Sequence, residues 1–122
     1  MHDPTRGGVA TTCHEVAARA GLRIVLEETA LPVRSETLTT CELLGLDPLY
    51  LACEGRMLIW VAPRDTDRLL QALRGHPRGV GAAHIGRTVS ATSGSARVLL
   101  ATAIGGERLV DLLSGSELPR IC

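Results

Sequence analysis

Short apolar segments that switch between helical and extended periodicity, each cut off by glycine or proline, constrain this chain more than any other feature. Val9, Cys13, Val16, Ala17 and Ala20 recur at helical spacing after Asp3-Pro4-Thr5, and Gly21 predicts the stop. Asp3 or Thr5 is suited to cap that helix, with Pro4 in its first turn. Leu22–Glu27 alternates, with Leu22, Ile24 and Leu26 on one face, and predicts a strand. Pro32 then breaks the chain. Ser35 is suited to cap a second helix beside Glu36, Leu38, Cys41 and Leu44 line its buried side, and Gly45 ends it. The apolar runs 49–53 and 57–62, joined by Glu54-Gly55-Arg56, predict two central strands paired as a hairpin. Asp65 predicts the cap of a third helix with core positions Leu69, Leu70 and Leu73, stopped by Gly75 and Pro77. Residues 82–89 and 97–103 predict two further strands. Ile104-Gly105-Gly106-Glu107 reads as a turn, and 109–113 as a short strand or a helical turn.

This order implies an α+β fold: a layered α/β sandwich on a mixed, mainly antiparallel sheet, with a partly ferredoxin-like βαββαβ middle. The 122 residues fit one domain, 1–122, in which 114–122 form a flexible tail. An apolar share of 45% and a mean hydropathy of +0.18 suit a folded globular chain. Thirteen basic residues, all arginine, balance thirteen acidic ones, so charge predicts neither a nucleic-acid nor a membrane partner. No apolar run approaches the roughly 20 residues that span a bilayer. The opening Met1-His2-Asp3-Pro4 lacks the basic and apolar regions of a signal peptide, which predicts a cytoplasmic location. There Cys13, Cys41, Cys53 and Cys122 are expected as thiols.

Candidate chemistry sits at three places. In Asp3-Pro4-Thr5-Arg6-Gly7-Gly8, two glycines at a helix start allow backbone N–H groups to approach an anion, favoured by the helix dipole. Arg6 offers a forked cationic contact, and Asp3 a group for a metal or nucleotide. The same residues also read as an ordinary helix start. Glu54-Gly55-Arg56 reads as an exposed turn, or as a proton-handling Glu54 between two buried strands. The chain ends Leu118-Pro119-Arg120-Ile121-Cys122, a solitary thiol that can be modified at one site and delivered to another. His2, His14, His76 and His84 share no ligand spacing with the cysteines, so no metal site is expected. The chain lacks lysine altogether, which excludes a Walker motif. Its motif-like opening has no strand before it, so the chain reads as one from which an upstream part is missing.

Together, Met1-His2-Asp3-Pro4-Thr5-Arg6-Gly7-Gly8-Val9-Ala10, Cys53-Glu54-Gly55-Arg56, Ile104-Gly105-Gly106-Glu107-Arg108 and Pro119-Arg120-Ile121-Cys122 resemble the HypE family of hydrogenase maturation proteins. That family belongs to the aminoimidazole ribonucleotide (AIR) synthase superfamily. The resemblance covers the whole chain but only the carboxy-terminal domain of the family, and implies an AIR synthase carboxy-terminal domain fold. It implies that a carbamoyltransferase, HypF, loads the thiol of Cys122. ATP and magnesium then serve to dehydrate the S-carboxamide to a thiocyanate, a carbamoyl dehydratase reaction. The cyanide passes to iron on a HypC–HypD scaffold, as a ligand for nickel–iron hydrogenase.

By position, the resemblance makes Cys122 the carbamoyl acceptor and Glu54 a proton acceptor or amide-positioning group. Asp3, Thr5, Arg6, Gly7 and Gly8 lie at the phosphate end of the nucleotide site, and Pro119, Arg120 and Ile121 position the tail. Cys53 stands where many members have Asn, and His2 where Arg is frequent. Family members carry a preceding domain that supplies most magnesium ligands, the homodimer interface and the rest of the ATP pocket. This chain alone is therefore expected to hold no cofactor tightly and to have no dehydratase activity. Two alternatives remain: a non-catalytic docking module for maturation partners, or half of another AIR synthase-like ATP-dependent enzyme.

Overall fold

The computed structural model of the chain describes residues 1–91 and 96–112. Helix α1 (Gly8–Ala20) presents Ala10, Cys13 and Ala17, each no more than 1% exposed, to a mixed sheet. Their small side chains let the helix axis approach the strands closely. Strand β1 (Leu22–Glu27) meets α1 with Ile24 and Leu26, joined in the same core by Val98 and Leu100 of β3 (Arg97–Ala101) and by Leu49 and Val110. Val25, between Ile24 and Leu26, points to the opposite face, as strand alternation requires, and is buried there. Val9 and Val16 border this core, whereas Ala20 is exposed, so the buried stripe of α1 is narrower than its periodicity predicts.

The sheet runs β2-β1-β3-β4, with β2 spanning Gly86–Ser90 and β4 Glu107–Leu109. Antiparallel pairing joins β1 to β2 from Leu22↔Ser90 to Leu26↔Gly86, and β3 to β4 from Leu99↔Leu109 to Ala101↔Glu107. Between them β1 and β3 run parallel, from Arg23↔Arg97 to Glu27↔Ala101. The α+β class and the mixed, mainly antiparallel sheet are therefore as the sequence predicts. Strand bounds shift: β2 starts late because Gly79 and Arg74 engage Ala82 in a loop, through Ala82 N–H to Gly79 O at 2.9 Å and Arg74 Nε to Ala82 O at 2.9 Å. The strand-or-helix choice at 109–113 resolves as extended, but earlier, at β4. Leu113 lies outside the described residues.

Helix α2 (Ser35–Leu44) and helix α3 (Thr66–Arg74) end at Gly45 and Gly75, as expected, while their starts differ. Arg34, not Ser35, holds the cap position of α2, and the Ser35 hydroxyl donates to Glu36 Oε2 at 3.3 Å. Asp65 does hold the cap position of α3, but its carboxylate is drawn to Arg68 (3.2 Å) and Arg64 (3.7 Å) and accepts no backbone N–H of the first turn. Leu69, Leu70 and Leu73 are half-buried. On α2 only Cys41 is buried. Leu38 and Leu44 are exposed, since α2 packs mainly on the turn Pro48–Tyr50 and not on the sheet.

The expected hairpin of 49–53 with 57–62 does not form. Asp47 Oδ1 accepts the N–H of Leu49 at 2.9 Å and Pro48 follows the cap, so the first run coils into a 3₁₀ turn, Pro48–Tyr50. The glycine turn itself is present, with Gly55 at φ 69°. The flanking backbone takes the opening residues as partners instead. Cys53 N–H donates to Pro4 O (3.1 Å), and Leu58 and His2 exchange both backbone hydrogen bonds (2.8 and 2.9 Å).

Candidate functional site

This clamping decides how the opening motif is presented. Because residues 2–4 pair with 53–58, Pro4 is buried ahead of α1 and is not part of its first turn. The helix begins at Gly8 after a cap at Gly7 (φ 67°), and no side chain caps it. The Thr5 hydroxyl turns back to Asp3 Oδ1 at 3.0 Å. The buried Thr12 hydroxyl lies 3.1 Å from Gly8 O and 3.4 Å from Asp3 O, tying the first turn of α1 to the strand-like segment before it.

His2, Asp3, Thr5, Arg6, Thr12 and Glu15 line a hollow of about 340 Å³. The structure thus brings together three of the residues singled out for an anion, Asp3, Thr5 and Arg6. Within the hollow, His2 Nδ1 meets Asp3 O at 2.7 Å and its Nε2 meets Glu15 Oε2 at 3.3 Å. Glu15 is thus engaged by His2, and Asp3 is partly satisfied by Thr5. Arg6 is exposed, with no acidic partner among the described residues. An anion entering the hollow meets that guanidinium as its uncompensated charge.

Gly7 and Gly8 stand at the helix start beside the hollow, and a packing reason accounts for Gly8. A side chain there would place Cβ 2.4 Å from Leu49 O and 2.6 Å from Leu51 O, backbone against backbone, at a φ of +65°. Gly8 therefore sets how closely α1 rests on the 3₁₀ turn. Glu54 is exposed in its turn, and the two buried strands expected to flank it are absent. Its neighbour Cys53 is nonetheless bonded to Pro4, so the turn hangs beside the motif. The sequence reading missed Thr12 and Glu15. They are three apart on α1, Thr12 buried and Glu15 exposed, and are recruited only because residues 2–6 fold back across that helix. A second hollow of about 260 Å³, lined by Val61, Asp65, Arg68, Leu69 and Ala72, contains none of the singled-out residues. Among the described residues no three His, Cys, Asp or Glu side chains gather as a metal site.

The apolar patterns around Cys13, Cys41 and Cys53 suit small core residues, which holds for the first two and not for Cys53. Cys13 and Cys41 are buried, and burial pushes the Cys13 thiol up to about 12. Cys53 is half-buried, its thiol donating to Leu51 O at 3.2 Å. Pro119, Arg120, Ile121 and Cys122 lie outside the described residues. The backbone that leads toward them is held at four points. Val110 N–H donates to Val98 O at 2.9 Å, His14 Nε2 to Val110 O at 2.5 Å, and the Tyr50 hydroxyl to Asp111 O at 2.7 Å. Arg108 Nη2 pairs with Asp47 Oδ2 at 2.5 Å. Burial and the nearby Asp47 raise the Tyr50 phenol above its ordinary value, which keeps it a donor.

Comparison with known proteins gives a consistent picture. Residues 1–99 match the AIR synthase related protein, C-terminal domain, family. The carbamoyl dehydratase HypE of Rhodobacter capsulatus is 50% identical over 120 residues, which is 98% of this chain and 35% of that protein. A crystal structure of hydrogenase maturation protein HypE in complex with ATP superimposes with a TM-score of 0.90 at 42% identity, covering 99% of this chain and 37% of that one. A HypE–HypF complex matches with a TM-score of 0.82 at 34% identity, over 90% of this chain and 35% of that one. The chain thus spans about a third of the length of the relatives it matches. Among the described residues, no helix is long and apolar enough to cross a membrane.

Proposed function

Because the chain belongs to the AIR synthase related family, as its C-terminal domain, and resembles HypE proteins along its length, we propose that it is the thiol-carrying part of a cytoplasmic carbamoyl dehydratase. One observation carries this reading: Asp3, Thr5 and Arg6 gather around a single hollow, with the Glu54 turn tied to the same segment through Cys53 and Pro4. In it, Arg6 and the backbone at Gly7 and Gly8 form one wall of an ATP site, at its phosphate end. The preceding domain of a longer parent supplies the other wall and a homodimer interface. The ATP-bound relative supports that assignment. Magnesium would find the Asp3 and Glu15 carboxylates at this hollow, the latter engaged by His2, and two such groups do not make a site, so no step here runs through it.

The chemistry follows from the poor leaving ability of an amide oxygen. Cys122 arrives as an S-carboxamide, loaded by a HypF-type carbamoyltransferase, a partner supported by the HypE–HypF relative. The amide oxygen attacks the γ-phosphorus of ATP and ADP departs, while the nitrogen gives up one proton to leave a phosphorylated imidate. The second nitrogen proton leaves as the C≡N bond forms and the C–O bond breaks, releasing phosphate and a thiocyanate on Cys122. Arg6 stabilises charge at the transferring group. Glu54 receives a nitrogen proton or holds the amide, from an exposed turn that the bound tail and nucleotide would cover. The S–CN bond then breaks with two electrons supplied by the acceptor, a HypC–HypD scaffold holding iron, so that cyanide passes to the iron, toward a nickel–iron hydrogenase, and Cys122 returns as a thiolate.

Mass spectrometry tests the reading. Incubated with the carbamoyltransferase, carbamoyl phosphate and ATP, the chain gains one carbamoyl group on Cys122 and a Cys122→Ser variant gains none. Absence of the adduct beside an active transferase refutes the assignment. The chain alone stops at the carboxamide, and thiocyanate formation by it would refute the need for the preceding domain.

A further inference from the structure

The four contacts that hold residues 108–111 have no role in the chemistry above, yet they fix where the tail begins. Tyr50 connects the two places that must meet. Its hydroxyl donates to Asp111 O at 2.7 Å, and its backbone carbonyl carbon lies 2.8 Å from where a Cβ on Gly8 would stand. The root of the tail is therefore about one tyrosine side chain away from the start of α1. On the other side His14, on α1 itself, donates Nε2–H to Val110 O at 2.5 Å, a contact that fixes its tautomer because a carbonyl only accepts. Arg108 and Asp47 add an ion pair at the turn that Tyr50 occupies. Cys122 lies eleven positions beyond Asp111, so covalent geometry alone limits the thiol to about 36–40 Å from this root.

We infer that Tyr50 and His14 are positioning residues that pin the tail root beside the opening motif and so raise the effective concentration of the loaded thiol at the nucleotide site. The inference rests on the carbamoyl dehydratase reading and deepens it. A short tether helps only if its fixed end lies near the target, because local concentration falls steeply as the span to be searched grows. A root free to swing from β4 gives up that advantage without altering any group that touches ATP or the carboxamide. Tyr50→Phe removes one hydroxyl with little change of shape, so folding is not at risk. His14→Leu removes the second contact, and His14→Gln keeps a donor as its conservative counterpart.

The test uses the longer dehydratase that contains this domain, in single turnover, with two forms of substrate. In one, the carboxamide is on its own Cys122. In the other, the last residues are deleted and an S-carbamoylated peptide of the tail sequence is supplied separately. Tyr50→Phe and His14→Leu each slow the tethered reaction by about fivefold, the factor a neutral hydrogen bond is worth. They leave the rate with separate peptide unchanged, and His14→Gln restores the tethered rate. Equal slowing in both formats indicates a merely structural role and overturns the inference, as does an unchanged tethered rate. Failure of the unaltered enzyme to dehydrate either substrate sinks the functional reading itself, a distinct result.

Discussion

Replacing Gly8 with alanine separates a backbone preference from a close contact, because Gly21 supplies the control. The two glycines have nearly the same backbone, φ +65° and +64°, at opposite ends of α1. An L-residue in this region costs roughly 1–2 kcal/mol, and the loss of glycine's freedom in the unfolded chain returns about 0.4–1 kcal/mol. Those contributions are common to both sites and cancel in the comparison. The surroundings differ. A Cβ at Gly21 has nothing within 4 Å, whereas at Gly8 it falls 2.4, 2.6 and 2.8 Å from backbone atoms of Leu49, Leu51 and Tyr50. Those atoms cannot rotate aside, so α1 must lift from the 3₁₀ turn, a forced repacking worth about 1–3 kcal/mol. Gly8→Ala is therefore expected to destabilise by about 1–3 kcal/mol more than Gly21→Ala, read from urea unfolding at constant slope. Equal losses in the two variants would refute the close-approach argument and leave backbone strain as the whole effect.

Two smaller predictions follow from the same packing. The Cys13 thiol, pushed up to about 12 from an ordinary value of 9.0, resists alkylation near neutral pH in the folded chain. Its folded value is raised, so the unfolded thiol loses its proton first. Stability is then intact below pH 9 and declines from pH 9 toward 12, by about 2 kcal/mol at pH 10.5, a decline that Cys13→Ala lacks. At the surface, Arg108→Gln is expected to cost no more than about 1 kcal/mol, because the pair with Asp47 is partly exposed. Asp47→Ala also loses the cap on Leu49 and costs about 1–2 kcal/mol more, while Asp47→Asn retains that cap; thermal unfolding of the three variants ranks them.

What could be read from the residues was local. Gly21, Gly45 and the turn at Gly105 and Gly106 act through their own dihedral angles, and each sits where it was expected. The missing hairpin shows the limit. The runs around Cys53 and Leu58 are apolar and extended enough to pair with each other, but the better partners, Pro4 and His2, lie far back in the chain. Thr12 and Glu15 escaped notice for the same reason. The leucines of α2 differ again: spacing predicts that one side should be covered, and nothing local reveals whether a cover exists. Asp3, Thr5 and Arg6 were legible as a motif because they lie within one short stretch ahead of two glycines, though the hollow they border needed the fold to be seen.

The parallel ladder between β1 and β3 has a consequence for how such a protein is made. The strand that completes the middle of the sheet lies in the last quarter of the chain, immediately ahead of β4 and the segment ending in Cys122. During synthesis β1 emerges long before both of its neighbours, because β2 begins only at Gly86 and β3 at Arg97, so the core closes only once β3 is available. A partner that recognises the assembled sheet would in this way find nothing to bind until β3 is in place.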